Sequence, residues 1–416
     1  MSDLDTTLRH AGDIEIARYA DELAQELALT AAEVDQSGAF PHAHFAFLRE
    51  RGALTLTLPS ELGGQGQSLY GLLLFQERLG SGSAATALTL GWHLMAFAYL
   101  SFDLKWSRAN FEQLCRDVVE KGHLINILVT EREGGNLLRG GRPTTVAKRV
   151  DGGYRLRGQK AFCSGAPEIR QAVVYAWIEE QQRTGEFIVP IHEQVRIIPS
   201  WNTLGMRGTG SHDIAFDDVF VPASALANTI EPGKASSFTT GSRVFGLQIA
   251  AVYLGVAQAA RRFALQFAAA HPASNAPGVI LDLPQVQQRI GEIEYQIGAA
   301  KNLLYGLADR WERYEHIRHR LDNEVGIVKS VVTNHAANVV DLAMKIVGGH
   351  SLSRELPLER LLRDVRCGLF NPPHDDMVLS RLAQDAASNI RQSLSTQSGE
   401  VVNIIAQQTE PVAVPV

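Results

Sequence analysis

The stretch "FNPPHDD", Phe370 to Asp376, places an imidazole and two carboxylates (His374, Asp375 and Asp376) directly behind two prolines. These groups accept protons near neutral pH, and a base works only when it is held within hydrogen-bond reach of the proton it takes. Each proline fixes its own φ and restricts the residue before it, so the loop is stiff enough to hold such a group. The competing reading is that Asp375 and Asp376 N-cap a helix opening at "MVLSRLAQDA". Upstream, Gly348 and Gly349 in "KIVGGHSL" either let backbone approach a ligand closely or end a helix as its C-cap.

Other chemistries lack their motifs. The chain has no G-x-S-x-G, no H-E-x-x-H and no G-x-x-x-x-G-K-[ST], which removes the sequence support for serine hydrolase, zincin and P-loop chemistry. "HAH" at His42 to His44 reads as a solvent-facing loop rather than a metal site, because no further ligands accompany it. "GTGSHD" (Gly208 to Asp213) is not set between a strand and a helix and reads as a turn. Cys115, Cys163 and Cys367 lie far apart without a C-x-x-C pair, against a disulfide framework or structural zinc and in favour of a reducing, cytoplasmic setting.

Three regimes of pattern position these groups. From Ile14 to about Gly122, apolar residues recur at helical spacing, as in "IARYADELAQELALTAAEV" and "LYGLLLFQERLG". From Leu124 to Leu226, short β-branched runs punctuated by Gly, Pro and Asp read as an antiparallel sheet or barrel. From Ser237 to Ala406, long helical periodicity returns. The chain therefore reads as α+β, with a helical domain (1–123), a β-domain (124–236), a helical bundle (237–406) and a short tail (407–416).

The 416 residues, 45% hydrophobic and 20% charged with a net charge of −6, suit a soluble globular protein and give no basis for nucleic-acid binding. The N-terminus lacks a signal-peptide pattern. The longest nearly apolar run, Val244 to Ala260, contains two glutamines and reads as a buried core helix rather than a membrane span.

Five ordered stretches, "LPSELGGQG", "VTEREGG", "GQKAFCSGA", "TLGMRGTGSHDIAFDDVFVP" and "KIVGGHSL" with "RLLRDVR", resemble the acyl-CoA dehydrogenase family over nearly the whole chain. The resemblance implies a helical domain, a β-barrel and a four-helix bundle, bound FAD, an acyl-CoA or related small-molecule substrate, an electron acceptor that the sequence does not name, and a homodimer or homotetramer. It places Val129, Thr130, Phe162, Cys163, Ser164, Gly348 and Gly349 at the flavin, Asn136 on the CoA arm, and Arg243 near the reacting carbons.

Two departures from the family pattern stand out. The R-x-x-F-G element, whose arginine reaches cofactor phosphate, is replaced by "AHPASNAPGVILDLP" (Ala270 to Pro284). The usual glutamate base falls on Pro372, and its second known location falls on Ser242. Asp375, or else Asp376, is then the displaced base of an α,β-dehydrogenase, with His374 as an orienting or proton-accepting neighbour. The alternatives are a flavin monooxygenase on the same fold, which needs no carboxylate, and a non-catalytic flavin-binding protein.

Overall fold

The computed structural model describes residues 6–102, 106–133, 141–232, 244–274 and 277–408. Asn136, Arg243 and the tail from residue 409 lie outside the described residues.

The first domain is built from α1 (Ala11–Ala28), α2 (Ala31–Ser37), α3 (His42–Glu50), α4 (Leu69–Gly82), α5 (Ala84–Phe102) and α6 (Arg108–Lys121). In α1, Ile16, Ala20, Leu23 and Leu27 recur at steps of three and four and form the buried stripe. Ser68 and Ser107 cap α4 and α6 by accepting the backbone N–H groups of Gly71 and Asn110. The "HAH" segment departs from expectation: it opens α3 rather than lying in a loop, and His44 is buried between Thr30 Oγ1 (2.7 Å) and Thr86 Oγ1 (2.8 Å). Burial lowers the His44 pKa to about 4, so the ring is a neutral bridge.

The second domain is one sheet, in the order β6-β7-β3-β2-β4-β5-β8, with β1 paired to β4. Its strands are β1 (Leu124–Leu128), β2 (Val146–Val150), β3 (Gly153–Cys163), β4 (Ile169–Ile178), β5 (Arg183–Pro190), β6 (Val195–Ile198), β7 (His212–Pro222) and β8 (Leu226–Ile230). It is mixed rather than purely antiparallel, because β4 runs parallel to both β1 and β2. The β2–β3 hairpin lies between β1 and β4 in the chain, so β4 enters the sheet in the direction of β1. Among the described residues the ladder stops at β6 and β8 and does not close as a barrel.

The third domain consists of α7 (Phe245–Ala270), α8 (Pro284–Arg313), α9 (Asp322–Val347), α10 (Pro357–Phe370) and α11 (Asp375–Gln408). The four long helices form the bundle, and α10 is a shorter fifth. Nearly every residue of α7 from Phe245 to Ala257 is buried, as expected for that run. Among the described residues no helix is long and apolar enough to cross a membrane.

The three domains meet at α10. Arg363 Nη1 donates to Asp35 Oδ1 in α2 (2.8 Å) and to the carbonyl of Leu204 (3.1 Å), and Asp364 Oδ1 accepts the Met206 N–H (2.6 Å). Gly205 makes the approach possible: a Cβ there would stand 2.2 Å from the Arg363 carbonyl oxygen.

Candidate active site

One wall of the site comes from the ends of β1 and β3. The β3–β7 register slips between Lys160 and Cys163. At this bulge Phe162 adopts φ 56° and stays 56% exposed. A large ring turned outward on a left-handed backbone carries a local cost of order 1–3 kcal/mol, and an apolar planar partner laid on the ring would offset it. Trp201 stands beside Phe162 with centroids 6.2 Å apart, and the Arg132 guanidinium is 5.8 Å from its ring centroid. Arg132 is fixed by a forked contact to Asp213 (2.6 and 3.0 Å), which also accepts from Gln159 (2.8 Å).

Thr130 is exposed, Val129 is half-buried, and the Thr130 carbonyl accepts the Ala161 N–H (2.9 Å), tying the β1 end to the bulge. Cys163 and Ser164 instead turn inward. Burial pushes the Cys163 thiol up, which makes it a packing residue rather than a nucleophile. The Ser164 hydroxyl joins a buried chain through Ser211 (2.8 Å) to Thr209 (2.7 Å).

Beneath this wall lies a clamp that the spacing of residues does not reveal. Lys160 is wholly buried with its Nζ 2.6 Å from Glu131 Oε1, and Glu131 also accepts from the backbone and hydroxyl groups of Thr144 and Thr145. Glu131 and Arg132 sit inside "VTEREGG" and Lys160 inside "GQKAFCSGA", so the signal was present only as unexplained charge beside the flavin stretches.

A second candidate stretch is the loop from α10 to α11, packed against the head of α7. A Cβ on Gly246 would lie 3.6 Å from Pro373 Cδ, and Tyr253 Oη donates to Asn371 Oδ1 (2.8 Å). Asp375 and Asp376 lie within the first turn of α11, which opens two residues earlier than expected. His374 and Asp376 are exposed, while Asp375 is half-buried. Asp375 Oδ2 accepts from Asn334 Nδ2 (2.8 Å), and its Oδ1 is sealed from solvent without a hydrogen-bond partner among the described residues.

Gly348 is the C-cap of α9 (φ 67°), and its N–H reaches the Met344 carbonyl. The C-cap reading holds, and Gly348 and Gly349 are also exposed, with nothing among the described residues within 4 Å of a Cβ on either. The exposed Phe162 ring and the fixed Arg132 cation fit an aromatic, polar-edged cofactor of flavin type, whereas the glycine pair stands apart, with the adjacent His350 packed on Phe267 (5.7 Å) at the other end of α7 from the Gly246–Pro373 contact. No group of three or more His, Cys, Asp or Glu suited to a metal occurs among the described residues.

Models described as acyl-CoA dehydrogenase N-terminal, middle and C-terminal domains match residues 15–102, 126–219 and 243–370. "Putative acyl-CoA dehydrogenase YdbM" of Bacillus subtilis is 41% identical, with 89% of this chain and 95% of that protein covered. Amino sugar nitrososynthase DnmZ of Streptomyces peucetius is 29% identical, with 86% and 88% covered. The structure of KijD3 in complex with FMN and a dTDP-amino-keto sugar superposes with a TM-score of 0.80 at 25% identity, covering 91% of this chain and 95% of that one. Three matching domain models in order and a relative of this similarity over nearly the full length show that the chain belongs to the acyl-CoA dehydrogenase family of flavoproteins.

Proposed function

We propose that the protein is an FAD-dependent oxidoreductase that removes the α-proton and β-hydride of an acyl-CoA thioester, with Asp375 as the base. The carrying observation is the Asp375 carboxylate: one oxygen is fixed by Asn334, and the other is sealed and unpartnered at the end of the proline loop. A carboxylate oriented in this way accepts a proton without first giving up another hydrogen bond. A bound flavin supplies the two-electron acceptor for the hydride. Phe162 and Trp201 provide apolar surface for its ring, Arg132 provides a cation at a polar edge, and Thr130 provides a hydroxyl.

The test is anaerobic mixing of the purified yellow protein with butyryl-, octanoyl- and palmitoyl-CoA while flavin absorbance is followed. Asp375→Asn should slow bleaching by about two to four orders of magnitude with flavin still bound. Bleaching by Asp375→Asn at the wild-type rate defeats the assignment.

A second reading, an oxygenase using reduced flavin, is favoured by Pro372 at the family's base position and by the likeness to a nitrososynthase. It calls for product formation that depends on oxygen and an external flavin reductase.

A further inference from the structure

Lys329 lies in the middle of α9, wholly buried, and its Nζ has no hydrogen-bond partner among the described residues. An uncompensated buried ammonium costs several kcal/mol, and an aliphatic residue would pack there without that cost. The surrounding interior of α9, Val325, Val328, Val332 and Ala336, is of that kind. Packing therefore gives no reason for the charge.

The register of α9 against α11 shows what Lys329 faces. The helices run antiparallel: Asn323 Nδ2 donates to Asp385 Oδ2 (2.7 Å), a Cβ on Gly326 would stand 3.1 Å from Val378 Cγ2, and Asn334 Nδ2 donates to Asp375 Oδ2 (2.8 Å). Lys329, between Gly326 and Asn334, falls level with the Asp375 to Val378 turn. On the side of α7, a Cβ on Gly246 would come within 3.5 Å of Lys329 Cβ and 3.6 Å of Pro373 Cδ, so the lysine stem runs beside the proline loop.

Of the other titratable groups of the packed elements, Glu324 on α9 also carries a sealed Oε2 without a hydrogen-bond partner among the described residues, while those that follow are engaged or exposed. Tyr253 on α7 bonds Asn371, Asp364 on α10 holds Met206, and Arg366 on α10 holds Asp341 of α9. Arg381 on α11 pairs with Asp322, while His374 and Asp376 are exposed. Asp375 is the carboxylate whose charge acts on Lys329, and its Oδ1, like Glu324 Oε2, is sealed and unpartnered among the described residues. Two opposite charges, each with an atom lacking a hydrogen-bond partner, thus lie on facing turns where the loop enters α11, without forming an ion pair.

We propose that Lys329 is a positioning residue for the proton acceptor: its buried ammonium keeps the Asp375 carboxylate turned inward. This deepens the function proposed above and rests on it. Burial lowers the Lys329 pKa to about 8, against the pull of Asp375, so the side chain remains mainly cationic at neutral pH.

The test uses the flavin-loaded protein and the acyl-CoA that bleaches it fastest among butyryl-, octanoyl- and palmitoyl-CoA, with the reduction rate followed from pH 5 to 9. Lys329→Met should move the acidic limb of the rate profile upward by about one pH unit or more, and Lys329→Arg should return it toward the wild-type position. An unmoved limb in Lys329→Met, with Asp375→Asn inactive, overturns the role of Lys329 while leaving Asp375 as the base. Wild-type bleaching by Asp375→Asn, or no bleaching by any of the three thioesters, overturns the function and this inference together.

A second measurement keeps Lys329 in place, so it does not depend on Lys329→Met folding. The melting temperature of wild type and Asp375→Asn is compared from pH 7 to 10.5. Removing the carboxylate takes away the charge that supports the ammonium, so the alkaline rise in stability should begin at lower pH in Asp375→Asn. Coincident curves overturn the pairing.

Discussion

Lys160 Nζ and Glu131 Oε1 are 2.6 Å apart in a closed ion pair that joins the residue after Thr130 to the strand end carrying Phe162. Both side chains are almost wholly buried, 0% and 4% exposed, so each makes the other tolerable there. The cofactor wall thus stands on a pair whose halves cannot be removed singly.

Glu131→Gln should therefore destabilise the protein by about 3–5 kcal/mol at pH 7, because it leaves the Lys160 ammonium buried without a counter-charge. Burial alone would raise the Glu131 carboxyl, but Lys160 and the two threonines outweigh it and hold the pKa at about 2. A depressed folded pKa stabilises the fold above the ordinary value of 4.5, and this contribution is lost as pH falls from there toward 2. The difference in urea unfolding between wild type and Glu131→Gln should shrink over that window by an amount on the order of 3 kcal/mol.

Phe162→Ala should weaken flavin binding about tenfold, the scale of losing one aromatic face, while the melting temperature moves by only about 2 °C, because the ring is not in the core. Phe162→Gly, which sits without strain at positive φ, should be at least as stable as Phe162→Ala. Flavin fluorescence titration and thermal melts separate the two effects. A large loss of stability in Phe162→Ala would show that the ring serves the fold and not the cofactor.

Periodicity made the helices and strands legible, because Ile16, Ala20, Leu23 and Leu27 in α1 or the apolar run of α7 carry their own spacing. The direction of β4 was not legible, since pairing partners distant in sequence leave no local mark. His44 read as exposed because its partners, Thr30 and Thr86, are brought to it only by packing. The same limit hid Lys160 under Glu131 and Lys329 beside Asp375: a lone lysine in a helix or strand gives no sign that it is buried.

Asp364 should give the opposite pH signature to Glu131. Burial pushes its carboxyl up to about 6, opposed by Arg360 and the Met206 N–H. A raised folded pKa favours the fold below the ordinary value of 3.8, and the advantage disappears as pH rises through 6. Relative to Asp364→Asn, whose amide oxygen still accepts from Met206, wild type should lose on the order of 3 kcal/mol between pH 4 and 7. Paired unfolding curves at several pH values check this, and a constant difference would show that Asp364 stays ionised throughout.

The outward faces of the bundle predict self-association. Tyr295 on α8 is 76% exposed, and Leu379, Ile390 and Leu394 on α11 are 63%, 57% and 55% exposed. Large apolar side chains in this number on two outer helices of the bundle mark contact surfaces rather than scattered surface residues. A stable interface of roughly 1,200–2,000 Å² needs such a cluster at its centre, and two copies joined through α8 or α11 would supply it. We expect a homodimer or homotetramer by light scattering at micromolar concentration. Leu379→Glu combined with Ile390→Glu should shift the population toward smaller species, because a carboxylate buried at the contact lacks a partner. A wild-type protein that stays monomeric at that concentration would leave these faces to some other role.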